Sequence, residues 1–522
     1  MDWKRASKTR RVCWIFLWAI LISSVYLPSL GTRFDFADDS TLVYPAPQMP
    51  FGERVGFYWK KVVANYEALG PFRPVLWAHW ELQADMFGAN ELAWRLSRWV
   101  WTALAAASLL WLMLELNIAP MAAVAATALA MWSPYRGEIW LSLTLAEGVA
   151  MPYAIFALVC AVRASRSPRA RLWDLAGFIS VLAALGCKNT FAALVPAQLL
   201  LRVIGGGASL LDGLRRHGLR AALLTLTLLF PIGHFIYFQT HWQPGQYPVE
   251  YPSWARLGSA ARLLRGTMNL DFIAPGLFFA FAAISGIGLI LDRKKFRPSF
   301  LALSKNFAAE ARPYRLALAA GMALLVFGVA IYLPVRGEAG RYSIPAIWGV
   351  DLWIGALLSM LAQSQLTAWK RLAYVAFGCG LAGVMIASVG KQDRFAAKNR
   401  MLWRGLEYVE RQAPKGASIA WLPGTELRDQ EAVHFDWHLE ARGRGDLSVQ
   451  LINPDGTRVE RTKVYRANST NEPAFLVTES RTAPHPEEWD LVEDFGLRYR
   501  WGARRFLFYL WKKKAVGNAA AQ

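Results

Sequence analysis

At 522 residues, 55% of them hydrophobic and with a mean hydropathy of +0.23, the chain is too apolar for a soluble domain and reads as a polytopic membrane protein. Its 58 Lys and Arg against 38 Asp and Glu give a net charge of +20, much of it in short loops between apolar runs. Membrane topology and contact with anionic lipid therefore explain the charge better than nucleic acid does. Cys13, Cys160, Cys187 and Cys379 fall within or against apolar runs, so buried free thiols are expected, with no disulfide framework and no CxxC metal motif.

The first apolar run, Val12–Leu30, is long enough to cross a bilayer, and Lys4, Arg5, Lys8, Arg10 and Arg11 before it hold the N-terminus in the cytoplasm. An uncleaved first helix is the simpler reading than a signal peptide. Just past it, Asp35, Asp38 and Asp39 place three carboxylates at the membrane surface. Mutual repulsion and lost solvation favour a bound cation or a raised pKa, the conditions for a metal site or a general base. The plainer alternative is a solvated acidic loop. A polar, aromatic stretch with Pro45, Pro47 and Pro50 then runs to about Ser97 and suits a loop with interfacial helices on the outer leaflet.

Further apolar runs follow at Trp99–Leu116, Ala119–Trp132, Leu143–Val162, Leu175–Cys187, Thr190–Val203, Ala221–Phe238, Phe272–Leu291, Leu316–Pro334, Ser343–Ala362 and Leu372–Val389, which makes about 11 spans. The strongly basic segments, from Arg163–Arg171 through Arg202–Arg220 and Arg293–Arg315 to Lys370-Arg371, all fall on one face by that count. The sequence thus predicts a transmembrane domain over 1–390, with the first outer loop at 31–97, and an outer domain over 391–522. In that tail Ala417–Leu422, Val433–Leu439, Leu447–Ile452, Val459–Tyr465 and Phe475–Thr478 read as strands, with a turn at Asn453-Pro454-Asp455-Gly456. Phe506–Trp511 suits a strand or a membrane-surface contact.

Odd-numbered spans end on the outer face, and their ends repeat one kind of residue. The first carries the aspartates, the third Arg136 and Glu138, the fifth Lys188-Asn189, and the ninth Arg336, Glu338 and Arg341. Ionisable groups at membrane depth are functional candidates by default; structural salt bridges are the competing reading, strongest for Arg136 and Glu338. Between the seventh and eighth spans Arg256, Arg262 and Arg265 alternate with Trp254, Leu257, Leu263 and Leu264, as in an amphipathic helix able to grip a phosphate or simply to rest on the leaflet. His434 and His438 have the spacing of a helix-borne metal pair, but the alternation around them reads as a strand and argues against a metal. Asn468-Ser469-Thr470 matches a glycosylation sequon by pattern.

These residues resemble a family. Phe36-x-Asp38-Asp39-x-x-x-Val43 is similar to the first-loop motif of polytopic glycosyltransferases of the GT-C superfamily, nearest to the transmembrane O-mannosyltransferases that carry tetratricopeptide repeats and their bacterial relatives. Phe72-Arg73-Pro74-Val75 with Phe87-Gly88 resembles their Tyr-Arg-Pro-Leu and Phe-Gly, and Pro134-x-x-x-Glu138 their His-Pro-x-x-x-Glu with Ser133 for the His. Lys188-Asn189 stands where they have Lys-Glu, and Gly340-Arg341-Tyr342 where they have Glu-Arg-Tyr; the repeats are absent.

The resemblance implies a polyprenyl-phosphate-linked sugar donor whose sugar is transferred outside. An Asp38 or Asp39 carboxylate then serves as general base toward an acceptor hydroxyl, Glu138 positions the acceptor, and Lys188 and Arg341 meet the leaving phosphate, with Arg73, Arg262 and Arg265 behind them. A divalent cation, Mg2+ or Mn2+, held by Asp38, Asp39 and Glu138 stays open. The acceptor is a glycan, a lipid or a protein, and membrane lipids surround the chain. The Ala-, Arg- and Trp-rich composition suits a bacterial inner membrane with a periplasmic C-terminal domain. The alternatives are a lipid or polysaccharide transporter, for which internal repeats are missing, and a non-catalytic membrane scaffold.

Overall fold

A computed structural model describes residues 7–36, 39, 73–205, 210–229, 311–331, 344–363, 367–424, 427–453, 473–496 and 506–514, with a few isolated positions besides. Among the described residues seven helices are long and apolar enough to cross a membrane, and Pro120–Trp132 and Asn189–Ile204 are shorter apolar helices. The chain is a polytopic helical membrane protein with a small C-terminal sheet region. The eighth expected span and most of the second half of the seventh lie outside the described residues.

Helix α1 (Lys8–Ser23) starts where the Ser7 hydroxyl accepts from Arg10 N and runs into a 3-10 segment, Ser24–Gly31, containing Pro28. Its end is pinned by three side chains: Trp99 Nε1 donates to Ser23 O (3.0 Å), Trp132 Nε1 to Ile22 O (2.8 Å), and Tyr26 Oη to Met131 O (2.6 Å). These bonds satisfy backbone groups that proline and the helix end leave over. After α2 (Pro74–Phe87), helix α3 (Glu91–Glu115) begins at an Asn90 cap and ends at Asn117, whose φ of 64° is left-handed. It therefore starts eight residues before the expected Trp99, and the loop expected to reach Ser97 is shorter (99 − 91 = 8). The earlier start carries Arg95 and Arg98, both buried, into the protein interior.

Proline at the first turn opens α4 (Pro120–Trp132) and the short α5 (Pro134–Leu141). Then come α6 (Ala146–Arg166), α7 (Ala170–Cys187), a 3-10 turn at Asn189–Ala193, α8 (Leu194–Ile204) and α9 (Leu210–Leu226). Helices α10 (Arg315–Ala330) and α11 (Ile344–Gln363) pack through glycines; a Cβ on Gly349 would strike the Gly321 backbone, so the two axes lie close. Cys160 and Cys187 are buried as expected, whereas Cys13 and Cys379 face off the bundle.

Helix α12 spans Thr367–Gln412 and runs 23 residues past the expected end at Val389 (412 − 389 = 23), leaving the apolar layer and reaching the sheet. The sheet has the order β2-β1-β3-β5-β4, from β1 (Ser418–Trp421), β2 (Ser448–Leu451), β3 (Pro473–Thr478), β4 (Trp489–Asp494) and β5 (Tyr509–Lys513). Strands β1, β2 and β3 are parallel and β5 runs antiparallel between β3 and β4. Phe506–Trp511 thus leads into β5 and supplies its first three residues. The segment expected to be a strand at Val433–Leu439 lies inside helix α13 (Asp429–Ala441). Parallel β1 and β2 need a crossover, which α13 supplies, so the region is mixed α/β rather than all strand. Glu431 accepts from Arg428 N (3.0 Å) at the helix start. Val459–Tyr465, Pro454 and Gly456 of the expected turn, and the sequon lie outside the described residues.

Candidate active site

The loop after α1 is built from both ends of the sequence. Phe34 O accepts from Asn399 Nδ2 (2.8 Å) and Trp403 Nε1 (2.9 Å), both on α12. The Arg33 guanidinium lies 3.6 Å from the Trp403 ring centroid and pairs with Glu407 at 2.5 Å. Phe36 fills a slot between Trp403, Phe435 and His438, with centroids 5.3, 5.9 and 4.8 Å away. Aromatic contacts from α12 and α13 thereby fix the chain on either side of Asp35.

Asp39 turns inward and is fully buried. Its carboxylate accepts from Arg95 Nη2 (3.0 Å), Leu143 N (3.0 Å) and Asp35 N (3.1 Å), while Asp39 N donates to Asp35 Oδ1 (3.3 Å). Burial, then the neighbouring Asp35 carboxylate, pushes Asp39 upward, and Arg95 and the two amides pull it back toward the ionised form. Arg95 also donates to Leu141 O and Arg33 O, and Arg98, one turn on, donates to Leu143 O. The non-helical link between α5 and α6 is thus stitched to α3. Gly148 in the first turn of α6 leaves the space that the Arg98 guanidinium fills.

Asp35 lies on the other side of this clip, at a cavity of about 450 Å3 between the helix ends and the sheet region. Ser142 and Leu145 from the stitched link form part of its wall, with Glu138 from α5. Opposite stand Lys391, Arg394, Phe395, Lys398, Asn399 and Leu402, spaced at three and four residues so that one face of α12 lines the cavity. Arg428, Glu431 and Phe506 close it from the sheet region. Glu431 takes Lys398 Nζ and Arg428 Nη2, each at 2.8 Å, and Arg394 lies 5.5 Å from the Phe506 ring centroid. The lining carries four cations, Lys391, Arg394, Lys398 and Arg428, against three carboxylates, Asp35, Glu138 and Glu431. Such a cavity fits a ligand with one anionic group and a hydroxyl-rich body.

Of the residues singled out in the sequence, Asp35 and Glu138 line this cavity, while Asp39 is not in its lining and is bonded to Asp35, Arg95 and Leu143 N. Asp38, Arg262, Arg265 and Arg341 lie outside the described residues. Lys188 is buried and paired with Glu147 of α6. Arg73 precedes α2 beside Cys187, away from the cavity lining. Arg136 forms the structural pair foreseen for it, bidentate to Asp351 at 2.6 and 3.1 Å. The sequence reading passed over Arg95 and the α12 stripe. A signal existed: Lys391, Arg394, Lys398 and Leu402 continue a helical spacing beyond the last apolar run.

Among the described residues no three His, Cys, Asp or Glu side chains converge to hold a metal ion. Asp39 spends its carboxylate on Arg95 and backbone amides, and Asp38 lies outside the described residues.

His434 and His438 share one face of α13 and are buried, His438 against Phe36 and Trp403. Burial lowers His434 to about 4 and His438 to about 3. Below an ordinary value near 6.5 the unfolded chain takes up protons that the folded chain refuses, so this packing loses stability as pH falls from 6.5 toward 3 and is constant above. At pH 5 the loss is about 2 kcal/mol per histidine at most. Hydrogen exchange over α13 should accelerate between pH 7.5 and 5, and His438→Phe should weaken that dependence.

A polytopic helical bundle with an acid-and-cation cavity beneath a small α/β region is the class of protein these observations define. No protein-family model and no curated protein sequence matches the chain. Among solved structures, ArnT from Cupriavidus metallidurans bound to undecaprenyl phosphate is similar over 96% of this chain and 98% of its own, at a TM-score of 0.47 and 14% identity. The Archaeoglobus fulgidus oligosaccharyltransferase in complex with zinc and sulfate is similar over 82% of this chain, at a TM-score of 0.45 and 14% identity, and the match spans 61% of that protein's length. The same organism's AglB, in complex with an inhibitory peptide and a dolichol-phosphate, gives a TM-score of 0.42 at 14% identity, over 83% of this chain and 64% of its own.

Proposed function

We propose that the protein is an integral membrane glycosyltransferase that moves a sugar from a polyprenyl-phosphate-linked donor to an acceptor hydroxyl. The observation that carries this reading is one cavity lined by both Asp35 and the cation stripe of α12. In the reaction the acceptor oxygen bonds to the anomeric carbon as the bond from that carbon to the phosphate oxygen breaks. The electron pair leaves with the lipid phosphate, and the acceptor proton passes to a carboxylate. Of the three carboxylates on the cavity we assign this role to Asp35, with Asp38 three positions on in the sequence. Asp39 holds the loop through Arg95. Glu138 orients the acceptor. Lys391 and Arg394 meet the charge growing on the phosphate.

The polyprenyl chain lies in the apolar layer below the cavity, and the sheet region, through Arg428 and Glu431, borders the space the acceptor enters. The basic segments at the opposite helix ends support a cytoplasmic N-terminus and a periplasmic cavity, in a bacterial inner membrane.

Purified full-length protein in lipid vesicles, supplied with a series of polyprenyl-phosphate sugars, tests the assignment of the cations. Lys391→Gln with Arg394→Gln should raise the donor KM about 10- to 100-fold, the value of one or two charge-assisted hydrogen bonds. An unchanged donor KM would remove α12 from the donor site.

A further inference from the structure

A second cluster lies at the end of the bundle away from the cavity. Asp174 near the start of α7 accepts from Arg202 of α8, Nε at 2.7 Å and Nη2 at 3.2 Å, and from Arg220 Nη1 of α9 at 3.0 Å. One carboxylate therefore serves two guanidinium groups. The Arg202 side chain is sealed at 1% exposure, whereas that of Arg220 keeps 34%. Arg216, one turn before Arg220, is exposed. His217 between them is pushed below its ordinary value by burial and by Arg202, Arg220 and Arg216, with Asp174 opposing, a sign of positive potential that Asp174 does not cancel. Three guanidinium groups against one carboxylate leave the cluster positive and suited to an anion.

Its surroundings specify which kind. Leu172 on α7 and Leu211 and Leu214 on α9 are 62%, 60% and 44% exposed on the two helices that carry Asp174 and these arginines. Leucines and arginines on one exposed helix are the signature of a segment lying in the headgroup layer, where the cations meet phosphate and the leucines meet acyl chain. A small anion in solution has no use for the leucines. We propose that Arg216 and Arg220, backed by the Arg202–Asp174 pair, seat the phosphate of an anionic phospholipid in the leaflet opposite the cavity. The buried pair fixes Arg220, which would otherwise lose more side-chain freedom on binding. This lipid site stands apart from the proposed sugar transfer.

Native mass spectrometry of the full-length protein, offered equal amounts of phosphatidylglycerol and phosphatidylcholine, reads the site directly. Wild type should retain phosphatidylglycerol about tenfold better, as expected for two interfacial cations. Arg216→Gln with Arg220→Gln should abolish the preference, the exposed change Arg216→Gln alone should weaken it, and Arg220→Lys should keep it. Equal retention of the two lipids by wild type would overturn the proposal, as would a double variant that binds phosphatidylglycerol unchanged. Displacement of the bound lipid by excess inorganic phosphate would assign the cluster to a soluble anion and overturn it as well.

Discussion

Asp35→Asn is expected to cut sugar transfer by about 10^2 to 10^4, the usual contribution of a general base, while the protein still inserts and folds. The amide keeps the acceptor that Asp39 N uses at 3.3 Å and keeps the loop pinned through Phe34 and Phe36. What it loses is the ability to take a proton. Measured at saturating donor, the loss should fall on kcat rather than on donor KM, because the cations opposite are untouched. If Asp35→Asn keeps wild-type turnover while Asp38→Asn does not, the base is the other carboxylate of the loop and the cavity keeps its role. Retention of turnover by both variants would end the carboxylate mechanism.

Arg95→Met is expected to act on the fold. Asp39 and Arg95 are both sealed from solvent, at 0% and 1% side-chain exposure, and the same guanidinium holds Leu141 O and Arg33 O. Removing the cation strands a buried carboxylate, at a cost of about 3–5 kcal/mol. Asp39 then takes up a proton or the loop lets go. Either way Asp35 loses its setting, so activity should fall together with thermal stability. Pairing the change with Asp39→Asn should recover part of the stability, because no buried charge remains to be neutralised. A single variant as stable as wild type would show that the clip contributes nothing.

Much of the membrane part was legible in the sequence because long apolar runs have few other uses, and proline and basic residues mark their ends. The acidic loop was legible as a site for a similar reason: carboxylates beside an apolar slab are costly. Which aspartate faces the cavity was not, since that depends on Arg95 and on Leu143 N, 56 and 104 positions away. Reading Arg95 as loop followed from placing the helix start at the first long apolar run, although Asn90 already supplied a cap. The α12 stripe was missed where hydropathy falls after Val389, yet a helix that leaves the membrane keeps its hydrogen bonds and changes only its outer face. In α13 the order Val433-His434-Phe435-Asp436-Trp437-His438 alternates like a strand, but the parallel pairing of β1 with β2 demands a crossover. Tertiary context overrode the local pattern there.

The most direct measurement is density for a polyprenyl phosphate bound to the Asp35→Asn protein in lipid nanodiscs. The phosphate should lie in hydrogen-bonding contact with Lys391 or Arg394 at the mouth of the cavity, with the lipid chain descending between the helices. A phosphate seated instead at Arg73 and Lys188, with the α12 cations facing empty solvent, would contradict the assignment of this cavity.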